Sequence, residues 1–387
     1  MDRRRFIRVA GGGVVLATAA AAAPGCSSDL PDEAVQAWRG PAAGEADPRR
    51  WALGYAILAP HSHNLQSWLV DLQRPGEIML RCDAARLLPE TDPFSRQIMM
   101  SHGTFLELLD IAARERGQRT EIELFPEGAF GPDRPDGRPV ARVRFIADPG
   151  VPRDPLFAQV LKRRTNREGY AATEPAPDAL KAIAAAVQPR ALRVGFAGGA
   201  EPALLRRHRA IAAEAWRIEL TTPRTIMESY RVLRVGPAEI ARHRDGLSLN
   251  APTVRLLAAL GLFDRSKPPA PDDYATTSQL ADFSRKLEAT PAFFWLVSDG
   301  NDRATQVNAG RAYLRAQLAA TAQGLAMQPL SQALQEYPEM AGPYAQVHAL
   351  LGAPAPRQVV QMWARLGYGP PVGPAPRRGV AAHITAA

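Results

Sequence analysis

The sequence predicts an α+β fold in which one arrangement occurs twice along a single chain, with a helical insertion in the second occurrence. Three observations lead there. Strand-forming segments flank a long apolar helix in each half. Each helix lies between glycines fourteen residues apart, Gly103 to Gly117 and Gly310 to Gly324. The stretch 175–290, by contrast, is mostly helical and irregular, which sets it apart from the repeated pattern.

The chain opens with MDRRRFIRVAGGGVVLATAAAAAPGCSS, residues 1–28. A basic start, an apolar Ala/Val/Gly run and small residues at the end are the layout of an export signal. Arg3 and Arg4, with Phe6, Ile7 and Arg8, follow the twin-arginine pattern of proteins exported already folded. Cys26 follows AAPG, similar to a lipoprotein box, with Ala23 in place of the usual Leu. Lipidation at Cys26 and a plain cleaved signal both remain open. The expected location is the periplasm or its membrane, the only membrane attachment being a lipid on Cys26, because the apolar run is too short for a spanning helix. Without these residues one cysteine is left, Cys82, so no disulfide forms within the chain. Cys82 lies in a strand-like segment and reads as a buried thiol.

The 387 residues are 46% hydrophobic, enough for one large core or two ordinary ones. The net charge of +8 is carried mainly by arginine. No basic run is interleaved with aromatics and no nucleic-acid module is present, so nucleic acid is not an expected partner; part of the charge reads as anion recognition.

Residues 29–48 read as a polar linker, 49–150 as the first half of the fold and 151–387 as the second, with the insertion at about 215–275. RRWALGYAILA is a short helix stopped by Pro60. SWLVDL and EIMLRCD are strands, SHGTFLELLDIAARERG a helix starting at Gly103, TEIELFP and VARVRFIAD strands. FAQVLKRRTNREGY reads as a helix running into a basic turn. AFFWLVSD is a buried strand, NAGRAYLRAQLAATAQGLA an Ala-rich helix and QVVQMWARLGYG a final strand. The tail from 370 is rich in Pro and Arg.

Four segments carry chemistry. In PHSHNLQSW, residues 60–68, His61 and His63 would share one face of a strand, and His102 could join them around a metal. No closed ligand set or second carboxylate accompanies them. The other reading is a pocket wall: Pro60 fixes the turn, Ser62, Asn64 and Gln66 face one way if the segment is extended, and Trp68 anchors it. Amides, which both donate and accept, suit the edge of a heteroaromatic ring. In KRRTNREGY, Arg163, Arg164 and Arg167 surround Thr165. On a helix or turn, Arg163 and Arg167 converge and could grip a phosphate; a solvated basic turn is the alternative. Pro329, Leu330 and Ser331 form a turn after the second long helix that could lie against a planar ring. Arg377 and Arg378 sit in the tail, either solvated or folded back onto the phosphate.

Together these pieces resemble the nitroreductase superfamily of FMN-dependent oxidoreductases. Its members carry R-x-S/T-x-R/K, P-S-S-x-N-x-Q-P-W, a central helix ending in G-L and a late arginine. Here RRTNR and PHSHNLQSW match the first two, with His61 for Ser and Ser67 for Pro. AQGLAMQPLS resembles the third, and Arg377 or Arg378 the fourth. The order is inverted relative to ordinary members, whose arginine segment comes first in a chain half as long and whose flavin lies between two subunits. This order is similar to the Acg-like branch, in which the fold is duplicated within one chain.

The resemblance implies a nitroreductase-like pseudo-dimer in a monomer, with one FMN, because the motifs are complete only once. Arg49 and Arg50 are a poor first-half match to the arginine segment, and LSLNAP a poor second-half match to the amide segment. It implies that Arg163, Arg164, Thr165, Arg167 and Arg377 or Arg378 hold the phosphate. Pro60, His61, Ser62, Asn64 and Gln66 would bond the ring or ribityl chain, and Pro329, Leu330 and Ser331 would back the ring under a helical lid. No side chain is required as acid or base. Two functions stay open: reduction of an electron-poor small molecule by a donor not identified in the sequence, and flavin holding under a closed lid with little turnover. Export counts against the first, since NAD(P)H is scarce outside the cytoplasm.

Overall fold

The computed structural model describes residues 29–188 and 190–385. The twin-arginine pattern and Cys26 lie outside them. Two four-stranded antiparallel sheets share one topology. The first is β1 (Trp68–Asp71), β2 (Glu77–Cys82), β3 (Gln118–Leu124) and β4 (Pro139–Ala147), in the order β1-β2-β4-β3. The second is β5 (Leu192–Ala197), β8 (Ala292–Asp299), β9 (Ala326–Pro329) and β10 (Gln358–Gly367), in the order β5-β8-β10-β9. A helix precedes each first strand, α2 (Pro48–Ala56) and α4 (Pro177–Val187). A twenty-residue helix joins the second and third strands of each sheet, α3 (Arg96–Glu115) and α10 (Arg303–Ala322).

Both long helices begin seven residues earlier than the sequence reading placed them, because their caps lie upstream. The Asp92 carboxylate accepts from the N–H groups of Gln97 and Ile98, and Asp302 accepts from Thr305. Gly117 and Gly324 take left-handed backbone angles and end the helices, as expected. Gly103 and Gly310 are instead mid-helix, where α3 crosses α10. A Cβ at Gly103 would lie 1.9 Å from the Val307 carbonyl oxygen, and one at Gly310 would lie 1.8 Å from that of Met100. The same offset of 207 residues relates Gly103 to Gly310, Met100 to Val307 and Arg96 to Arg303, so the crossing lies on a pseudo-twofold axis.

The faces of the two sheets differ. β2 alternates buried and half-buried residues, whereas β8 is buried at seven consecutive positions. Phe294 and Leu296 pack on α4 and α10. Phe293, Trp295 and Val297 pack on the other side, against α5 (Pro202–Thr221) and α11 (Ala341–Leu350). Since β5 pairs with β8, the whole span 198–291 is interposed between neighbouring strands. It is wider than 215–275, because α5 is needed to cover the outer face of the second sheet. Beyond α5 it holds α6 (Pro223–Arg231), β6 (Leu233–Val235), α7 (Gly236–His243), β7 (Leu247–Leu249), α8 (Pro252–Ala259) and α9 (Tyr274–Glu288).

Residues 29–48 are not a free linker. α1 (Asp32–Val35) and a 3-10 turn at Gln36–Arg39 dock on the body, and Trp38 is buried in the first core. The tail also returns: it lies beside β1, where Val70 donates to His383 and accepts from Thr385.

One buried charge cluster ties the halves. Glu107 on α3 pairs with Arg311 and Arg315 on α10 and with Arg190. Burial pushes the Glu107 carboxyl up, but the three guanidiniums outweigh it and hold it below the usual range. The stability it contributes is therefore present above the ordinary carboxylate range and lost as pH falls through it.

Two outcomes follow from this packing. Gly310→Ala should lower unfolding free energy by about 3 kcal/mol or more, at the upper end for overpacking, read by urea denaturation. Glu107→Gln should cost about 3–5 kcal/mol at neutral pH and flatten the acid limb of the stability profile, since it leaves Arg190 and Arg311 without their counter-charge and Arg315 with Asp154 alone.

Candidate functional site

The loop 57–67 joins α2 to β1 and is not extended. Ser62–Asn64 form a 3-10 turn, and His63, Asn64 and Gln66 have φ of 48°, 54° and 55°. Ser62, Asn64 and Gln66 consequently do not line up on one face. Left-handed backbone at three non-glycine residues is strained, and side-chain bonds hold it. His61 Nε2 accepts the Ser67 N–H, which leaves the proton on Nδ1 to donate to the Ser62 carbonyl. The Ser62 N–H donates to Ser101 and its hydroxyl to Gln97. Asn64 donates to the carbonyls of Pro376 and Gly246 and accepts from Arg377. Gln66 is fully buried; it donates to the Arg244 carbonyl and accepts from the Arg378 N–H. These two amides thus fasten the tail and the interposed segment to the loop. Their hydrogen-bonding groups are spent within the protein, against the expectation that they face a ring.

The three histidines do not gather around one point. His63 bonds Ser229 at 3.3 Å and His102 bonds the Ile98 carbonyl. Among the described residues no group of three His, Cys, Asp or Glu is placed to hold a metal. Burial lowers both His63 and His102 to about 4, so they are neutral at pH 7.

Residues 162–170 are irregular rather than helical, following a 3-10 turn at Pro155–Gln159. The helical-face argument for Arg163 and Arg167 does not hold. The segment is instead laid beside the second sheet, where the Asn166 N–H donates to the Met327 carbonyl. Arg163 is buried and donates to the Leu58 carbonyl at 2.9 Å and to Gln317 at 3.2 Å. Arg377, likewise buried, donates to the carbonyls of Ala59 at 3.0 Å and Leu58 at 3.3 Å. Guanidiniums from mid-chain and tail thus meet at the end of α2, in the other half of the fold. Arg164 turns back onto the carbonyls of Leu161 and Arg163, and Arg378 holds the Gln66 carbonyl. The tail arginines are not solvated.

None of Arg163, Arg164, Arg167, Arg377 and Arg378 forms an ion pair among the described residues, although most other arginines do. Burial lowers Arg163 to about 10; burial and the like charges of Arg163 and Arg164 lower Arg377 further. The Nε atoms of Arg163, Arg377 and Arg378 and the Tyr313 hydroxyl are buried without a hydrogen-bond partner. Arg167 is exposed, yet its charge acts on both His63 and Tyr313. It therefore lies near His63 of the first half and Tyr313 of the second. Thr165 is half-buried beside it.

Two participants escaped the sequence reading. Trp38 lies over this cluster, its ring 4.3 Å from the Arg164 guanidinium and 5.5 Å from those of Arg163 and Arg377. Its indole N–H donates to the Ala375 carbonyl. Tyr313 sits three residues after Gly310, on the helix the repeat singled out, which was the available signal. The turn Pro329–Ser331 offers less than expected: the Leu330 N–H is spent on the Trp363 carbonyl and its side chain is in the second core. Ser331 is half-buried at the start of a 3-10 turn.

The pseudo-equivalent place in the other half is built differently. Residues 188–191 replace the long loop 57–67 between helix and first strand, and Arg190 there is neutralised by Glu107.

No family model matches the chain. A protein found in two strains of Mycobacterium tuberculosis, whose name provisionally assigns it an NAD(P)H nitroreductase activity, is 29% identical over 346 residues, covering 86% of this chain and 90% of the relative. Among solved structures, the FMN-dependent nitroreductase of Mycobacterium smegmatis in complex with NADPH is 20% identical, covering 59% of this chain and 96% of that chain, with a TM-score of 0.36. A Bacteroides fragilis nitroreductase with bound FMN is 13% identical over 56% of this chain and 89% of its own, with a TM-score of 0.32. Likeness to the mycobacterial relative thus runs over most of both sequences, including most of the repeated sheet-and-helix arrangement.

Proposed function

We propose that the protein is an FMN-dependent oxidoreductase of the nitroreductase type, with one flavin per chain, in the internally duplicated Acg-like branch. The observation that carries this is the arginine cluster without carboxylates, set against a loop from the opposite half. Burying several guanidiniums without counter-charge is costly, and a dianionic phosphate is the complementary group. The residues fit it. Arg167, Thr165 and the Tyr313 hydroxyl carry unspent donors, while Arg163 and Arg377 supply positive potential from behind through their partnerless Nε atoms. Trp38 closes the cluster by cation–π contact. Asn64 and Gln66 shape the wall by holding tail and loop, and His63 near Arg167 is a neutral imidazole.

When bound, the flavin would supply hydride and electron transfer between a donor and an electron-poor small molecule. The protein places and charges the site and keeps water out. The shortened loop 188–191 and the Glu107–Arg190 pair leave no second site. The two halves serve as each other's partner, so the protein acts as a monomer. Export by the twin-arginine route, with or without a lipid on Cys26, belongs to the same reading.

A specific observation favours a second reading, a flavin holder with little turnover. The interposed segment is pinned shut over the loop: Asp245 pairs with Arg86, and Glu228 accepts from the N–H groups of Glu90 and Thr91. The purified protein should be yellow; bleaching by NADPH without oxygen within seconds supports turnover, and persistent colour supports the holder. A colourless chain that FMN cannot reconstitute sinks both.

Arg167→Ala, which breaks no internal bond, should weaken FMN binding about 10- to 150-fold by loss of one charge-assisted contact. Adding Arg163→Ala should abolish retention through gel filtration, with some loss of stability because Leu58 and Gln317 lose their partner. Flavin absorbance undiminished in the double variant would refute the phosphate assignment.

A further inference from the structure

The helix α8 is apolar and yet has no buried residue. In the run PTVRLLAALGLF, residues 252–263, Leu256 is 60% exposed, Leu257 39%, Leu260 59% and Leu262 46%. Four of the seven large hydrophobic side chains exposed among the described residues thus fall within seven positions. Leucines presented to water in one patch mark a contact surface.

The chain is tied to the body immediately after the patch. Phe263 packs edge-on against Tyr230, with ring centroids 6.1 Å apart. Arg265 donates to the Leu233 carbonyl at 2.7 Å and pairs with Glu239 at 3.1 Å. The leucines stay exposed while the chain just after them is fixed to α6, β6 and α7.

What they face is indicated by where the chain enters the fold. Asp29 is the first described residue, and its carbonyl accepts a 2.7 Å hydrogen bond from the Asn250 side chain, two residues before α8 begins. Cys26 is three residues upstream, a reach of about 11 Å even for a fully extended chain. The apolar N-terminal run, read above as an export signal, leads directly into this corner of the molecule. We propose that α8 and the turn to Leu262 form a membrane-docking face, seated in the interfacial region of a lipid bilayer beside the chain's N-terminal attachment. Leucine-rich helices lie in that region with the apolar face inward. A second copy of the chain is the weaker occupant: four leucine side chains fall well short of the roughly 800 Å² per partner that a stable interface buries. The inference is independent of the flavin reading; it stands or falls on the exposed leucines and the course of the N-terminal chain.

The test uses the full chain with its N-terminal apolar run retained and Cys26→Ser, so that an introduced cysteine is the reactive thiol; Cys82 is buried and pushed up to about 12. Leu260→Cys carries an environment-sensitive fluorophore, and Lys181→Cys, on exposed α4 surface, is the control. With vesicles of phosphatidylethanolamine and phosphatidylglycerol, emission at position 260 should shift to the blue and be quenched by lipid-borne quencher, while position 181 stays unchanged. Leu256→Glu with Leu257→Glu should reduce quenching at 260 about tenfold or more. The proposal is overturned if the protein floats with vesicles while position 260 stays in water, if it does not bind vesicles, or if the shift appears without lipid and grows with protein concentration, which would indicate a second copy.

Discussion

The contact on which the rest of the structure depends is the approach of two helix backbones at Gly103 and Gly310. No side chain larger than hydrogen fits where α3 crosses α10. That approach brings two half-domains, each built on a four-stranded sheet, to a distance at which they share a core. Val307, Leu314 and Leu318 of the second half are buried among first-half residues. Each of these helices then holds a loop of its own half, and the two loops meet where Arg163 donates to the Leu58 carbonyl. Gln317 and Tyr313 on α10 reach the arginine segment, and Ser101 and Gln97 on α3 support the loop around Ser62. Placement of the site is a consequence of helix packing, not of local motifs.

Electrostatics divides the two pseudo-equivalent corners. At one, Glu107 supplies a permanent anion to Arg190, Arg311 and Arg315, and the cluster is closed. At the other, the guanidiniums of Arg163 and Arg377 meet carbonyl oxygens and an indole face, but no carboxylate among the described residues. Carbonyl dipoles and aromatic quadrupoles offset part of the cost of burying cations; they do not neutralise it. One corner is complete without a ligand, and the other has charge to spare for one.

What was legible in the sequence was whatever depends on local periodicity. β2, β8 and the two long helices follow their apolar patterns, and Gly117 and Gly324 end the helices at the expected places. What was not legible depended on partners distant in the chain. Gly103 reads as a helix start until α10 is seen to need its missing side chain. RRTNR reads as a helical face until β9 offers its edge to Asn166. Asn64 and Gln66 read as ligand-facing amides, but the interposed segment and the tail, both distant in the chain, take their hydrogen bonds. Trp38 was invisible because a short polar stretch carries no periodic signal, and a single indole decides where it docks. The motifs located the site along the chain, while the division of labour among their residues came from the fold.

Joining two copies of one arrangement in a single chain lets their corners differ. In a symmetric pair of subunits every loop is present twice, and lengthening one lengthens both. Joining the halves in one chain removes that constraint. The helix-to-strand loop is long and strained at 57–67 and short at 188–191, while a 94-residue segment enters between β5 and β8 where β1 and β2 have a tight hairpin. That segment covers the outer face of the second sheet and then crosses to the first half, where Gly246 exchanges backbone and side-chain bonds with Asn64. A cover of this kind has room over one corner only, since α5 must first serve as core for its own sheet. The second half supplies the cover and the tail over the long first-half loop, while its own helix-to-strand connection is short and its Arg190 is closed by Glu107.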